Sequence, residues 1–195
     1  MENLIIRRRE YLIEKTVKVV DSHSTFLGQY KGKVYFLKTF VNLDEFNNEL
    51  ASYKKLKKMG ISCPKLLRKD KKTLNIAFQY VDAKNMADVL SEGDIPDKCF
   101  QELFNIYRFA RFSKIELNYL PEYFIFENGK LYYTSYEVFP MNKEKNLENY
   151  GLRFWLYGDE CAKHLNDLGL PVDKNRILAK GELNKKIVLL AIMKW

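Results

Sequence analysis

The stretch 118–137, NYLPEYFIFENGKLYYTSYE, contains the strongest local structural signal in the chain. Two runs of aromatic and β-branched residues, 124–126 and 131–133, flank Asn128-Gly129. An Asn-Gly pair favours a tight turn because both residues tolerate a positive φ. The pattern predicts two short antiparallel strands joined by that turn, and the segments that flank this hairpin contain no aspartate.

The first eighty residues combine strand-like runs with one helix. Asn42 can cap that helix, with Glu45 as the capping-box partner, and apolar residues then recur at helical spacing as far as Leu56. Gly60 is a typical stop signal. Short apolar or alternating runs, punctuated by turn residues, occupy 16–20, 24–30, 33–40 and 65–81. These signals predict a small, mostly antiparallel sheet with one long helix inserted after the third strand.

The rest of the chain is predicted to be mostly helical. A short helical piece at 86–90 precedes an amphipathic segment from residue 98 onward, and two or three more helices follow Asn146. The predicted class is α+β, with a small antiparallel β lobe at residues 1–81. A reduced, mostly helical lobe at 82–195, carrying the hairpin, completes one domain overall.

Bulk composition narrows the class of protein. The chain has 195 residues, of which 47% are hydrophobic, so it can bury a substantial core. No apolar run approaches the roughly 18–20 residues that cross a bilayer. The N-terminus is charged and has no apolar signal core. We therefore expect a soluble cytoplasmic protein without a membrane partner.

Cysteines and histidines do not predict a metal site. The three cysteines, Cys63, Cys99 and Cys161, are far apart and odd in number, which is typical of reduced buried or half-buried thiols. The two histidines, His23 and His164, are also distant from each other in sequence.

Lys38 and Glu49 introduce a resemblance to a known family. Lys38 ends an apolar strand, and Glu49 lies at the edge of the apolar stripe of the next helix. A lysine that faces the interior is costly unless an anion meets it. A strand lysine paired with a carboxylate on the following helix resembles the protein kinase fold, in which this lysine holds nucleotide phosphates. The resemblance covers roughly residues 16–160.

The loop before the hairpin carries the second part of the resemblance. A kinase catalytic loop has an aspartate, then an asparagine five positions later, and a hairpin leads on to Asp-Phe-Gly. Residues 118–123 keep that spacing and the proline found within such loops, and Ser135-Tyr136-Glu137 matches Asp-Phe-Gly. With aspartate in first place the triplet would read Asp-Tyr-Glu. That variant is similar to small atypical bacterial and archaeal kinase-like proteins of the RIO and lipopolysaccharide-kinase groups.

Three departures from this pattern affect the expected chemistry. Asn118 occupies the position of the catalytic aspartate, and an amide cannot act as a base. Tyr123 and Ser135 occupy the two magnesium-ligand positions, where the family has an amide and a carboxylate. Glu137 is the best substitute ligand, and Tyr123 is expected to fill the place of the metal. The resemblance thus makes magnesium a doubtful cofactor.

Nucleotide contacts are also implied by the resemblance. Ser22 and Ser24 lie in the turn that corresponds to the glycine-rich loop, and serine hydroxyls can donate hydrogen bonds to phosphate. A polar hairpin turn explains the same two residues. Gln79 and Val81 fall at the hinge, near the adenine position. ATP is therefore a candidate ligand, bound through these residues together with Lys38 and Glu49.

These observations leave three functions open. The first is a pseudokinase that acts through nucleotide or through an unknown protein partner or substrate. The second is an active ATP-dependent phosphotransferase that uses displaced acids such as Glu137 or Glu116. The third is a basic RNA-associated module, because the net charge is +8. The clustered basic residues are Arg7, Arg8, Arg9, Lys54, Lys55, Lys57, Lys58, Lys69, Lys71 and Lys72.

Overall fold

A six-stranded antiparallel sheet forms the first part of the computed structural model, which describes residues 3–193. Its spatial order is β1-β2-β3-β4-β6-β5. The strands are β1 (Asn3–Ile6), β2 (Arg9–Val19), β3 (His23–Tyr30), β4 (Lys33–Phe40), β5 (Leu66–Asp70) and β6 (Asn75–Gln79). Each strand pairs antiparallel with its neighbours.

One face of this sheet carries a buried apolar cluster. Leu37 of β4 is fully buried and packs with Ile6, Tyr11 and Ala77 from three other strands. Gly28 of β3 leaves room for it, since a Cβ at that position would lie 2.5 Å from Leu37 Cδ1. The alternation of side chains along β4 then places Lys38 on the opposite face.

Helix α1 (Leu43–Lys58) follows β4 and has the predicted boundaries. The Glu45 N–H donates to Asn42 Oδ1 at 2.9 Å, which caps the first turn. At the other end Gly60 has a φ of 81°, and the Ile61 N–H donates to the Leu56 carbonyl at 3.0 Å. This is the Schellman arrangement that a C-terminal glycine permits.

The place of α1 in the strand order differs from the prediction. The helix follows the fourth strand rather than the third, because β1 was not predicted. Arg7 and Arg8 form the turn between β1 and β2 with φ values of 46° and 65°. Positive φ is unusual for arginine, so the local sequence does not signal a turn.

The second part of the chain combines helices with short strand pairs. The predicted hairpin is confirmed: Asn128 and Gly129 both have positive φ, and Glu127 pairs with Lys130. The two-residue strands β7 and β10 also pair with each other. The elements are α2 (Met86–Glu92), α3 (Asp97–Phe112), β7 (Ile115–Glu116), β8 (Phe124–Glu127), β9 (Lys130–Tyr133), β10 (Phe139–Pro140), α4 (Leu152–Trp155), α5 (Asp159–Asp167) and α6 (Lys180–Met193).

Aromatic side chains form the centre of this second part. The ring of Phe124 lies 5.1 Å from that of Tyr133 and 5.2 Å from that of Trp155, measured between centroids. Leu152, Trp155 and Leu156 are also buried. All three cysteines are buried free thiols.

The chain forms two compact units. The first contains the residues up to Lys55 together with Cys63–Asp82, and the second contains Leu56–Ser62 together with the chain from Ala83 onward. Within residues 3–193, no helix has both the length and the apolar character that crossing a membrane requires.

Candidate functional site

Lys38 is placed by its strand pairing in the first unit. It pairs with Thr25 of β3 and with Ile76 of β6, in the middle of the sheet. On the same face, Phe40 packs edge-on against Phe46 of α1, with ring centroids 5.9 Å apart. The helix therefore covers the face on which Lys38 lies.

Glu49 of α1 meets Lys38 under this cover. Lys38 Nζ lies 2.5 Å from Glu49 Oε1, and the two side chains are only 5% and 10% exposed. A buried lysine needs such a partner, because an uncompensated charge in the interior is costly. The structure thus brings together the two residues that the sequence pairs, and nucleotide binding by them stays a prediction.

His23 and Thr25 also lie on this face, and sequence analysis did not single them out. Thr25 is almost fully buried opposite Lys38, and His23 lies opposite Phe40. Burial, together with the charges of Lys38 and Lys18, lowers the pKa of His23 to about 4, so its ring is neutral near pH 7. The strand register between β3 and β4 is the signal that identifies both residues.

The other predicted nucleotide contacts lie on the first unit as well. The Ser22 hydroxyl lies 2.9 Å from His23 Nδ1 in the turn before β3. Ser24 pairs with Val19 on one side and Thr39 on the other. Ser22 therefore lies in the β2–β3 turn, whereas Ser24 lies within strand β3 rather than in the turn. Contact of either serine with phosphate remains a prediction.

The hinge positions follow the last strand of this unit. Gln79 ends β6 with an exposed side chain, and its backbone N–H donates to the Lys65 carbonyl at 2.8 Å. Val81, two residues further on, is buried. Contact of either residue with adenine remains a prediction.

In the second unit, Tyr133 connects the loop of Asn118 to the segment after the hairpin. Its buried hydroxyl accepts a hydrogen bond from the Asn118 N–H at 3.2 Å and donates one to the Glu137 carbonyl at 2.9 Å. The positions that match the catalytic aspartate and Asp-Phe-Gly are therefore held next to each other by one phenol.

Tyr123 lies close to the same segment. It ends a short 3₁₀ turn, Pro121–Tyr123, and its carbonyl accepts hydrogen bonds from the Thr134 N–H at 2.9 Å and the Thr134 hydroxyl at 3.0 Å. One residue on, the Ser135 hydroxyl donates to Glu137 Oε2 at 2.9 Å. The three predicted positions Asn118, Tyr123 and Ser135 are thus brought together in the second unit.

Tyr136, the middle residue of the Ser-Tyr-Glu triplet, has an unusual backbone. Its φ is 61° and its side chain is almost fully buried. A bulky residue in the left-handed region costs of order 1–3 kcal/mol and persists only where the surroundings enforce it. Burial of the Tyr136 ring therefore fixes the directions in which Ser135 and Glu137 leave the chain.

The acids of this region have different surroundings. Glu122 Oε2 lies 2.9 Å from His164 Nε2, and Glu127 ends β8 in the hairpin. Glu116 is buried, whereas Glu137 is exposed. No group of three or more His, Cys, Asp and Glu side chains is placed to hold a metal ion within residues 3–193.

This donor set does not fit the magnesium pair of a kinase. At the two positions that the resemblance assigns to magnesium ligands stand a phenol, Tyr123, and a hydroxyl, Ser135, and the neighbouring carboxylate is Glu137. Mg²⁺ prefers charged oxygen ligands and gives up its waters reluctantly. A neutral hydroxyl and a phenol are weak replacements for a carboxylate and an amide.

Comparison with known proteins supports the fold. No protein-family model and no curated protein sequence matches the chain. Among solved structures, the BubR1 kinase domain matches with a TM-score of 0.52 and 12% sequence identity, over 72% of this chain. The fold is kinase-like. The chain spans about half the length of that structure, 50%, and the low identity shows similarity of fold alone.

Proposed function

We propose that this kinase-like protein acts by binding rather than by phosphoryl transfer, as a pseudokinase. The donor set beside Asn118 carries the proposal. An amide stands in place of the catalytic base, and the nearby carboxylate of Glu137 accepts a hydrogen bond from Ser135 at 2.9 Å. Phosphoryl transfer needs an acid that positions the nucleophile and oxygen ligands for Mg²⁺. The amide of Asn118 cannot act as the base, and the phenol of Tyr123 and the hydroxyl of Ser135 are weak ligands for Mg²⁺.

ATP is the ligand we propose for the first unit. Lys38 would hold its phosphates as a point charge, oriented by Glu49 at 2.5 Å. In this proposal the first unit corresponds to the small lobe of a kinase, and the second to a reduced large lobe. Membership of the small atypical bacterial and archaeal group, and a cytoplasmic location, belong to the same proposal.

Thermal unfolding with ATP, with and without Mg²⁺, tests this function. A ligand that binds only the folded state raises Tm by mass action. We expect ATP to raise Tm, Mg²⁺ to add little, and Lys38→Ala to remove the shift. Lys33→Ala is the matched control, because Lys33 is an exposed lysine at the start of the same strand. Transfer of labelled phosphate from ATP, abolished by Lys38→Ala and kept by Lys33→Ala, would contradict the proposal.

An active phosphotransferase is the second candidate, and the exposure of Glu137 favours it. The Glu137 carboxylate is accessible and lies beside the position of the lost metal ligand. This function requires labelled phosphate transfer that Glu137→Gln abolishes. Glu127→Gln, the same change in the hairpin, should then leave transfer unchanged.

An RNA-associated function is the third candidate. Lys54, Lys55, Lys57 and Lys58 of α1 are all exposed, so their charges are available to a phosphate-rich partner. Binding of RNA through phosphates must weaken steeply as salt rises, because each contact releases counterions. Binding that does not depend on salt would remove this candidate.

A further inference from the structure

Glu116 is a buried carboxyl that lacks a hydrogen-bond partner. It ends β7, two residues before Asn118, and is 3% exposed. Neither carboxyl oxygen makes a hydrogen bond. Burial raises its pKa to about 7. An unsatisfied buried polar group is costly, so a partner supplied from outside the chain would be favoured.

The polar groups around Glu116 do not satisfy it. The Tyr119 hydroxyl and the Asn142 backbone N–H lie close enough to lower its pKa slightly, against the larger effect of burial. Neither of them makes a hydrogen bond of good geometry, and the buried Tyr119 hydroxyl also has no partner. Arg111 acts on Glu116 only through its charge and lies 3.8 Å from Glu148.

Glu116 and Tyr119 line one cavity within the second unit. Its volume is about 520 Å³, which lies within the usual range for small-molecule sites. Buried Leu117 adds apolar surface beside the two polar side chains. Exposed Phe139 and Met141 form part of the wall that faces solvent. Two buried side chains whose oxygens lack hydrogen-bond partners thus lie beside a cavity that has a partly apolar wall.

We propose that this cavity binds a small organic cation, with its amidinium or ammonium group on Glu116 and its apolar body against Leu117, Phe139 and Met141. A cation that donates N–H groups supplies what the Glu116 oxygens lack, and a charge-assisted hydrogen bond is stronger than a neutral one. The Tyr119 hydroxyl is free to donate to the carboxylate or accept from the ligand. This inference rests on the second unit alone and holds whether or not nucleotide binds Lys38.

The charge of Glu116 is affected by three nearby side chains, those of Arg111, Tyr119 and Tyr107. Arg111 favours the carboxylate, and Tyr119 and Tyr107 are neutral phenols near it. Lys145 also lines the cavity, but its side chain is exposed, so water screens its repulsion of a cation. Binding of a permanent cation should therefore strengthen as pH rises through about 7, where Glu116 ionises.

Benzamidine is a suitable probe, with neutral benzamide as its isostere. Calorimetry or NMR titration on the full chain should show benzamidine binding at least about tenfold more tightly than benzamide at about pH 8. The preference should fall at about pH 6 and vanish in Glu116→Gln. Glu127→Gln, on β8 outside the cavity, is the matched control and should keep the preference.

Equal binding of the two probes by the wild-type chain would overturn the proposal, as would a preference that survives in Glu116→Gln. The pH dependence of the wild-type chain provides a second test that needs no variant. The preference for benzamidine over benzamide should rise between about pH 6 and about pH 8, as Glu116 ionises. A preference that is the same at both pH values would count against Glu116 as the binding group.

Discussion

Lys38 and Glu49 form an ion pair in which the two side chains are only 5% and 10% exposed. A buried pair adds little stability relative to a well-packed apolar pair, but removing one partner leaves a charge without compensation. A buried ion pair at this place is therefore better explained by a use other than stability, such as holding an anionic ligand.

Replacing Lys38 alone, and Lys38 together with Glu49, should separate the effect of the pair on stability from its effect on ligand binding. Lys38→Met should lower the free energy of unfolding by about 3–5 kcal/mol, because the buried carboxylate of Glu49 loses its lysine partner. The double variant Lys38→Met/Glu49→Leu should recover much of that loss in urea denaturation. Neither variant should show a Tm shift with ATP. If ATP still raises Tm in the stable double variant, nucleotide binding does not depend on Lys38.

Ser135→Asp should create metal dependence. The new carboxylate would lie beside Glu137. In the wild-type chain, Glu137 Oε2 accepts a hydrogen bond from the Ser135 hydroxyl at 2.9 Å. Two adjacent carboxylates repel each other and attract a divalent cation. We expect a slightly lower Tm without metal and a larger Mg²⁺-dependent part of the ATP shift. Ser135→Asn, equally large but neutral, is the control and should add no such dependence.

Glu116 should make stability depend on pH. Its pKa is about 7 in the folded chain and about 4.5 when unfolded, so its contribution is full below about pH 4.5 and is lost as pH rises through about 7. Each pKa unit corresponds to about 1.4 kcal/mol, so Glu116→Gln should be more stable than wild type by up to about 3 kcal/mol at pH 8. Denaturation at several pH values measures this. A gain in Glu116→Gln that does not change between pH 4 and 8 would contradict the assignment.

His23 should titrate far below an ordinary histidine. Its pKa of about 4 compares with about 6.5 when unfolded, so its contribution to stability is full above about pH 6.5 and is lost as pH falls through about 4. NMR titration of the ring protons tests this directly. Because the charge of Lys38 is one cause of the low pKa, phosphate bound at Lys38 should raise it. If saturating ATP leaves the pKa of His23 unchanged, ATP does not place its phosphates at Lys38.

Tyr133→Phe should loosen the loop of Asn118. The change removes the hydroxyl that links the Asn118 N–H to the Glu137 carbonyl, at an expected cost of about 1–3 kcal/mol. Hydrogen exchange at the Asn118 amide should quicken with it. Tyr132→Phe, at the neighbouring half-buried position on β9, should change neither quantity by a comparable amount.

Local signals account for the parts of the fold that sequence predicted well. The Asn128-Gly129 turn depends on two residues that tolerate positive φ, and α1 begins at Asn42 and ends at Gly60 by capping rules. Strand β1 was missed because its turn uses Arg7 and Arg8, whose side chains give no turn signal.

The candidate site was predictable only where spacing along one or two elements defines it. Lys38 and Glu49 follow from a strand and the helix after it, and the loop of Asn118 follows from its distance to the hairpin. His23 and Thr25 needed the strand register, and the burial of Glu116 depends on packing by β10 and the loop that follows it. A charged residue near a loop is normally expected to face water.

Because its three cysteines are buried, the folded chain should react slowly with alkylating reagents. Burial raises the pKa of Cys99 and Cys161 to about 12, and the thiolate is the reactive form. A surface cysteine such as Lys71→Cys, in the exposed turn after β5, would therefore accept a single fluorescent label without removal of the native thiols. Reaction of the native thiols on heating or in denaturant would then report the extent to which each variant has unfolded.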